Sequence, residues 1–428
     1  MVAWTAFLLW GSLFALAYTY VGYPVLVWCL VRLKGNVPQA EVLDRDYLPK
    51  VTVLIAAYNA EHHVRSRIEN LFASDYPADR LRVVIASDGS DDATVDGVRS
   101  IDDPRVTCFA FQKRRGKART LVHAVERLGN RSADEVLLFT DVTTRFASDA
   151  VLHLASNFQD PAVGLVSGHV TITDPEGQPS ESLYWKCEMM VRRCEARLGI
   201  MLGASGAIYA MRFPLFVAPT SAVINDDMVF PTLVRLRHGV NVKLDENARA
   251  FAIGGGTLGA EFHRRRRIGV GAVQCLFTLK ELFHPKHGVQ LWAFTSHKLL
   301  RWASPLFLIV AAVANVLIHL EGVYQVTAAL QIGAYGLAVL GVFLTGHGVA
   351  VRLSRAATSF VVMNAALAAG ILQWVLNPAC VVWTPTHRPV VGREGLPIES
   401  AISLDFVESR TRKSNPVDIL TELPRKAS

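Results

Sequence analysis

Two apolar blocks at the ends of the chain constrain its fold more than any other feature. Residues 1–31 contain no charged side chain, and residues 302–377 contain only Glu321, Arg352 and Arg355. A helix crosses the hydrocarbon core of a bilayer with roughly 20 predominantly apolar residues, so both blocks are long enough. Between them, from about residue 47 to 298, the mixture of side chains is that of an ordinary soluble domain. Of the 428 residues, 51% are hydrophobic and 19% charged. Disorder is excluded for most of the chain, because its signature is low hydrophobicity with high net charge. A purely water-soluble enzyme is equally at odds with this balance.

The first apolar segment is followed, not preceded, by Arg32 and Lys34. A secretory signal would carry its positive charge ahead of a shorter apolar core and end in a small-residue cleavage site, so residues 1–34 read as a retained anchor. The positive-inside rule then places the N-terminus outside and the following domain, 47–275, in the cytoplasm of a multi-pass protein of a bacterial inner membrane. Within 304–378 the segments 305–320, 326–345 and 358–376 are candidate spans. Three crossings would leave the tail outside, whereas Arg388 and Arg393 favour the cytoplasm; two crossings, with one segment re-entrant or lying in the interface, would satisfy them. Residues 276–303, with Trp292, Phe294, Lys298 and Arg301, read either as an interfacial amphipathic helix or as a connector folded onto the soluble domain. Residues 379–428 form a tail expected to be partly disordered.

The net charge of +7 collects beside the apolar segments and in one arginine run, without the aromatic-interleaved basic groove of a nucleic-acid binder. A lipid bilayer is the partner this pattern implies, and nucleic acid is not. The six cysteines, Cys29, Cys108, Cys187, Cys194, Cys275 and Cys380, are far apart and include no CxxC pair. They fit a reducing compartment rather than a disulfide frame or a zinc site.

Inside the soluble part, short β-rich runs at 51–57, 82–87, 106–110 and 135–140 alternate with helical patterns at 62–73, 92–100 and 117–128. This alternation predicts an α/β fold built from βαβ units with a mostly parallel sheet. Ligands of such sheets sit beyond the carboxyl ends of the strands. Three polar segments follow apolar strands there: Tyr58-Asn59-Ala60-Glu61, Ser87-Asp88-Gly89-Ser90 and Thr140-Asp141-Val142-Thr143. Alone, Asp88-Gly89 is as well explained by an Asx turn, and Asp141 by a helix-capping turn. Together they suit a nucleotide, which needs a carboxylate for a base N–H, an aromatic ring against the base, and an acid for a divalent ion on the phosphates.

With these motifs in place, the chain resembles glycosyltransferase family 2, which has the nucleotide-sugar-binding GT-A fold, and more narrowly its membrane-embedded branch of cellulose, hyaluronan and poly-N-acetylglucosamine synthases. The run from Val51 to Glu61 is similar to the family's first strand and its PAYNEE end, with Ala56 and Ala60 as departures. The resemblance implies nucleotide contacts from Ala57, Tyr58, Glu61, Asp88 and Lys117, the last within a Gly116-Lys117 step. Asp141 matches the first acid of the DxD motif and would bind the nucleotide and the metal, Mg or Mn; Thr143 stands in place of the second acid, which weakens the ligand set. Gly203, Ala204, Ser205 and Gly206 match a small-residue loop beside the sugar, where room is left for a ligand. Asp226-Asp227 matches an acidic pair at a helix start, with Asp227 as the general base and Asp226 its neighbour, although such a pair also complements a helix dipole. Arg264 to Ile268 occupies the place of the QxxRW motif; Arg267 alone is retained and would pair with the diphosphate, while Arg264, Arg265 and Arg266 also suit anionic lipid heads.

Three readings follow. The first is an inverting membrane-bound glycosyltransferase that moves a sugar from a nucleotide donor, UDP-linked by resemblance, to a lipid-linked or polysaccharide acceptor, alongside other polysaccharide-assembly proteins. The second is a processive synthase that also exports its polymer, against which the loss of Gln and Trp from the arginine motif counts. The third is a catalytically weak membrane scaffold for another synthase, supported only by Thr143.

Overall fold

The computed structural model describes residues 2–35, 48–129, 132–174, 178, 182–254, 257–346 and 348–378. Cys380, Arg388, Arg393 and the 379–428 tail lie outside the described residues. The chain opens with helices α1 (Val2–Ala17) and α2 (Tyr23–Lys34), joined by a π-helical turn at Tyr18–Gly22 into one 33-residue rod. The α/β part follows as β1 (Lys50–Ala57), α3 (Glu61–Phe72), β2 (Leu81–Asp88), α4 (Thr94–Arg99), β3 (Val106–Phe111), α5 (Lys117–Leu128) and β4 (Glu135–Asp141). All the expected elements of this half are present within a residue or two. It continues through β5 (Arg145–Phe146), α6 (Ala150–Ser156), β6 (Val163–Thr173), α7 (Leu183–Leu198), β7 (Tyr209–Arg212), α8 (Asp226–His238), β8 (Asn241–Ile253) and α9 (Leu258–Thr278).

The eight strands form one sheet in the order β3-β2-β1-β4-β7-β6-β8-β5. β1 runs parallel to both β2 and β4, with Val51 opposite Leu81 and Val136. Its sequence KVTVLIAA is buried at every position after Lys50, as a central strand covered on both faces must be. Side chains alternate across it. Leu54 joins Phe139, Tyr209, Met211 and Phe230 under α5 and α8, while Val53 and Ile55 join Val64, Ile68, Leu138 and Leu154 under α3 and α6. β7 pairs antiparallel with β4 and β6, and β5 antiparallel with β8, so the sheet is mixed but mostly parallel. The carboxyl ends of β1, β2 and β4 open on the same edge, which places Ala57, Asp88 and Asp141 side by side.

After α9 come α10 (Gly288–Phe294), a second π-helical turn at Thr295–Leu299, and α11 (Leu300–Ile318), then α12 (Val323–Phe343) and α13 (Val349–Leu376). The stretch read as a connector is therefore largely helix that continues into the next apolar segment, and the rod spans Pro285–Ile318. Among the described residues four helices are long and apolar enough to cross a membrane: Val2–Lys34, Pro285–Ile318, Val323–Phe343 and Val349–Leu376. Their outward side chains, such as Val316, Phe343 and Leu376, are among the most exposed large apolar groups of the described residues, an arrangement costly in water and natural in lipid. Small residues set the helix crossings. A Cβ on Gly370 would stand 2.0 Å from the Arg266 carbonyl and one on Gly269 2.6 Å from the Leu367 carbonyl, so α9 and α13 touch backbone to backbone.

Candidate active site

The loops at the ends of β1 and β2 are stitched to each other. Asn59, in the left-handed region at φ 48°, accepts from the Asp91 N–H with its side chain and donates its own N–H to Ser90. Glu61 begins α3, accepts from the Ala93 N–H at 2.9 Å, and donates its N–H to Asp92. Asp88 is 1% exposed, and its carboxylate accepts from the Arg115 N–H at 2.7 Å, the Gly116 N–H at 2.9 Å and the Thr120 hydroxyl at 2.7 Å. The chain itself thus uses most of that carboxylate's capacity. Gly89 is held at φ +69°, and a Cβ there would stand 2.8 Å from the Arg114 nitrogen. Only glycine lets the 113–116 loop close over the strand end. Arg114 then lies 3.8 Å above the ring of Tyr58, covering the aromatic face expected to meet a base.

This loop delivers Lys117 as the first residue of α5. Its ammonium lies 2.9 Å from Asp141 Oδ1 and 3.2 Å from Asp226 Oδ2. Burial opposes its charge, but the carboxylates of Asp141 and Asp226, with Asp227 behind them, win and hold the lysine above its ordinary range. Asp226 responds the other way. Burial and the neighbouring Asp227 and Asp141 raise it in spite of Lys117. Three carboxylates therefore face one ammonium, with Lys117 as the ion-pair partner of Asp226 Oδ2, while the Tyr209 hydroxyl is buried without a hydrogen-bond partner. Burial, then Asp226, Asp227 and Asp141, push the Tyr209 phenol well up, so it keeps its proton and remains a donor.

Asp226 and Asp227 open α8, as the sequence expects, but the geometry goes beyond complementing a dipole. The 203–206 loop packs on this first turn. The Ala204 N–H donates to the Asp227 carbonyl at 2.8 Å, a Cβ on Gly206 would lie 3.3 Å from Asp227 Oδ2, and one on Gly203 would lie 3.0 Å from the Met228 sulfur. The start of α8 thus packs closely against Gly203 and Gly206. Ser205 donates its N–H to the Ser167 hydroxyl and is buried.

The four arginines of α9 divide. Arg264 and Arg265 pair with Glu261 at 2.8 and 2.7 Å, and Arg266 donates to Gln373 of α13 at 2.7 Å. Arg267 faces the acids: burial lowers it, and Asp141, Asp226 and Asp227 act against that lowering. Two further basic residues escaped the sequence reading. Arg67 of α3 is 1% exposed, stacks 4.2 Å from the Phe146 ring and donates to Thr140 beside Asp141 at 3.0 Å; burial and the nearby Arg145 push it down to about 9, with Asp141 opposing. Arg192 of α7 donates to the Ala204 carbonyl at 3.1 Å. A lone arginine in a helical pattern carries no signal of burial, which is why both were missed.

Comparison with known proteins agrees with this construction. The sequence profile of Glycosyl transferase family 2 matches residues 52–213. An N-acetylglucosaminyltransferase of Rhizobium sp. (strain N33) is 29% identical over 175 residues, 39% of this chain and only 38% of that protein. A poly-beta-1,6-N-acetyl-D-glucosamine synthase of Staphylococcus aureus (strain COL) is 23% identical over 285 residues, 65% of this chain and 67% of that protein. The structure of the mannosyltransferase PcManGT from Pyrobaculum calidifontis in complex with GDP-Man and Mn2+ superposes with a TM-score of 0.62 at 22% identity, covering 86% of this chain and 99% of that one. At that identity the likeness establishes the fold. Residues 52–213 are thus similar to glycosyltransferase family 2, and the fold is GT-A-like, set among the described residues beside four apolar helices of membrane-crossing length.

Proposed function

We propose that the chain is a membrane-bound inverting glycosyltransferase that moves a sugar from a nucleotide donor to a lipid-linked or growing glycan acceptor at the cytoplasmic face of a bacterial inner membrane. The observation that carries this reading is the convergence of Lys117, Asp141 and Asp226 beyond the strand ends, with Asp227 against the 203–206 loop. In the reaction, an acceptor hydroxyl oxygen bonds to the anomeric carbon as the carbon–oxygen bond to the diphosphate breaks. Asp227 takes the hydroxyl proton, and the nucleoside diphosphate leaves with the bonding pair. A base placed this way contributes about 10²- to 10⁴-fold. Attack opposite the leaving group inverts the anomeric carbon, and no covalent intermediate on the protein is required.

The donor's diphosphate is anionic and the site is rich in carboxylates, so cations have to mediate. Lys117 and Arg267 supply two. Among the described residues no three His, Cys, Asp or Glu side chains form a metal cage. Mg2+ and its analogues, however, usually take one or two carboxylates and complete their shell with substrate phosphates and water. The solvent-reachable Asp141 and the surplus of negative charge around it fit that kind of site. A divalent ion held by Asp141 would neutralise charge developing on the departing diphosphate. Tyr58, Glu61 and Asp88 border the nucleoside end, where Arg114 has to move if a base is to stack on Tyr58.

The test uses the purified full chain in lipid nanodiscs and a panel of UDP- and GDP-linked sugars, with release of nucleoside diphosphate measured in Mg2+, in Mn2+ and in chelator. Turnover of one donor above the Asp227→Asn background, with acceptor present, is the expected result. Equal release by wild type and Asp227→Asn across the panel overturns the assignment and favours a scaffold. Product sizing separates one-sugar transfer, the expected outcome, from processive polymerisation.

A further inference from the structure

α7 has two faces, and they serve different neighbours. Glu188, Arg192 and Glu195, spaced by four and three, point toward α11 and the 203–206 loop. Met190, Arg193, Cys194 and Arg197 line a separate groove of about 430 Å3 whose other wall is the end of α2, with Trp28 and Arg32. One wall of the groove thus belongs to the helix that leaves the membrane.

Three observations define what this groove accepts. First, its charge is positive. Arg32, Arg193 and Arg197 line it, and among the described residues only Arg193 has a carboxylate close by, Glu246 at 2.9 Å. Lys34 joins the same corner by donating to the Arg197 carbonyl at 3.3 Å. Second, the depth is right. Val21, Val25 and Trp28 are exposed by 62%, 52% and 46% and recur with Arg32 at intervals of four, three and four, so one lipid-facing stripe of the helix ends at the groove. Third, Arg32 lies 5.1 Å over the Trp28 ring, the pairing of an aromatic ring and a cation found where a helix meets the headgroup layer.

We propose that this groove binds the phosphate headgroup of an anionic phospholipid, with one acyl chain along the Val21–Val25–Trp28 stripe and the phosphate among Arg32, Arg193 and Arg197. Guanidinium groups match phosphate oxygens in charge and in forked geometry. Because the wall opposite α2 is α7, whose other face holds the catalytic loop through Arg192, a bound lipid would fasten the soluble domain to the bilayer at that helix. The groove is distinct from the donor site, and its occupancy does not depend on which sugar is transferred.

The experiment is native mass spectrometry of the detergent-purified full chain titrated with phosphatidylglycerol and with phosphatidylcholine of the same acyl chains. The expected result is preferential binding of phosphatidylglycerol, weakened about thirtyfold in an Arg32→Gln/Arg197→Gln double variant, at about fivefold per cation. Arg32→Lys/Arg197→Lys retains most of the preference, and Arg237→Gln, whose arginine pairs with Glu281 outside the groove, binds as the wild type. A matched thermal melt shows that the double variant is folded. Equal binding of the two lipids, or unchanged phosphatidylglycerol binding by the double variant, overturns the proposal. So does displacement by a polyprenyl phosphate at far lower concentration, which makes the groove an acceptor site, or by inorganic phosphate, which makes it a site for soluble anions. Donor turnover in the same preparations is read separately, so failure here leaves the catalytic reading standing.

Discussion

The molecule holds two buried charge clusters, and they are built on opposite rules. Between α7 and the rod that contains α11, the 5% exposed Glu188 meets Arg192 at 3.1 Å, Lys298 at 3.0 Å, His297 at 3.1 Å and Arg301. Glu195 beside it accepts from Tyr23 at 2.7 Å and faces the other His297 nitrogen at 2.8 Å. Burial works against the Glu188 charge, yet Lys298, His297 and Arg301 overcome it and hold the carboxyl well below its usual range. In the proposed donor site the acids outnumber the ammonium, Asp226 is raised, and the Tyr209 hydroxyl goes unpartnered. A carboxylate satisfied by cations fixes structure, even though the Arg301 Nε in that cluster lacks a partner, whereas an unsatisfied surplus of acid stores affinity for a missing cation or donor. The two meet through Arg192, which touches Glu188 on one side and the Ala204 carbonyl on the other, and Ala204 in turn holds the Asp227 backbone.

The comparison breaks most visibly at Asp227. Asp227→Asn keeps the shape and removes the proposed base, so kcat falls by about 10²- to 10⁴-fold while thermal stability stays near that of the wild type; release of nucleoside diphosphate reads the first and a melting curve the second. Glu188→Gln has the reverse profile. Leaving four cationic or donor groups around a neutral amide costs on the order of 3 kcal/mol, seen as early unfolding in detergent. Glu188 is depressed in the fold, so its contribution is present above the ordinary value of 4.5 and lost as pH falls through the lower folded value. The gap between wild type and Glu188→Gln therefore stays constant at neutral pH and narrows in acid. A gap that does not close in acid would assign the loss to packing instead of charge.

Asp226 sharpens the contrast because its sign is opposite. Its folded value is raised, so the stability it contributes is complete below the ordinary 3.8 and is lost as pH rises through the folded value. Asp226→Asn should consequently stabilise the protein at neutral pH by about 1 kcal/mol, the trade common at active sites, and lower turnover at the same time. The gain disappears when the melt is repeated below that ordinary value. Destabilisation at neutral pH would show that Lys117 needs both of its carboxylates for folding.

How far this could be seen from sequence depends on what each residue packs against. The strand ends were legible because β1, β2 and β4 are continuous apolar runs that each stop at a polar group, and the parallel βαβ order follows from them. β6 and β8 were not, since residues such as Ser167, His169, Lys243 and Arg249 interrupt their apolar pattern and their pairing joins segments about 80 residues apart. In the arginine motif the charges of Asp141, Asp226 and Asp227 act on Arg267, whereas Arg264 and Arg265 pair with Glu261, a division that local sequence does not carry. The continuity of the rod from α10 into α11 was hidden by His297 and Lys298, charged residues that break an apolar run until Glu188 is known to face them. Partners distant in sequence, not local propensity, decide these cases.

The smallest expected effect tests the same rule at a single atom. Tyr209 is fully buried, its ring stacked 4.9 Å from Phe139, and its hydroxyl has no partner. An unmade hydrogen bond of this kind costs about 1 kcal/mol or more, and Tyr209→Phe keeps the stack while removing the group. The free protein should therefore melt slightly higher. If the hydroxyl is kept for a phosphate oxygen of the donor, the variant binds nucleotide sugar several-fold more weakly, and adding donor shrinks or reverses its lead in the melt, because a ligand stabilises the form that binds it better. An equal shift of both proteins by donor would make the orphaned hydroxyl a packing feature, and the line between the satisfied and the unsatisfied cluster would then have to rest on the carboxylates alone.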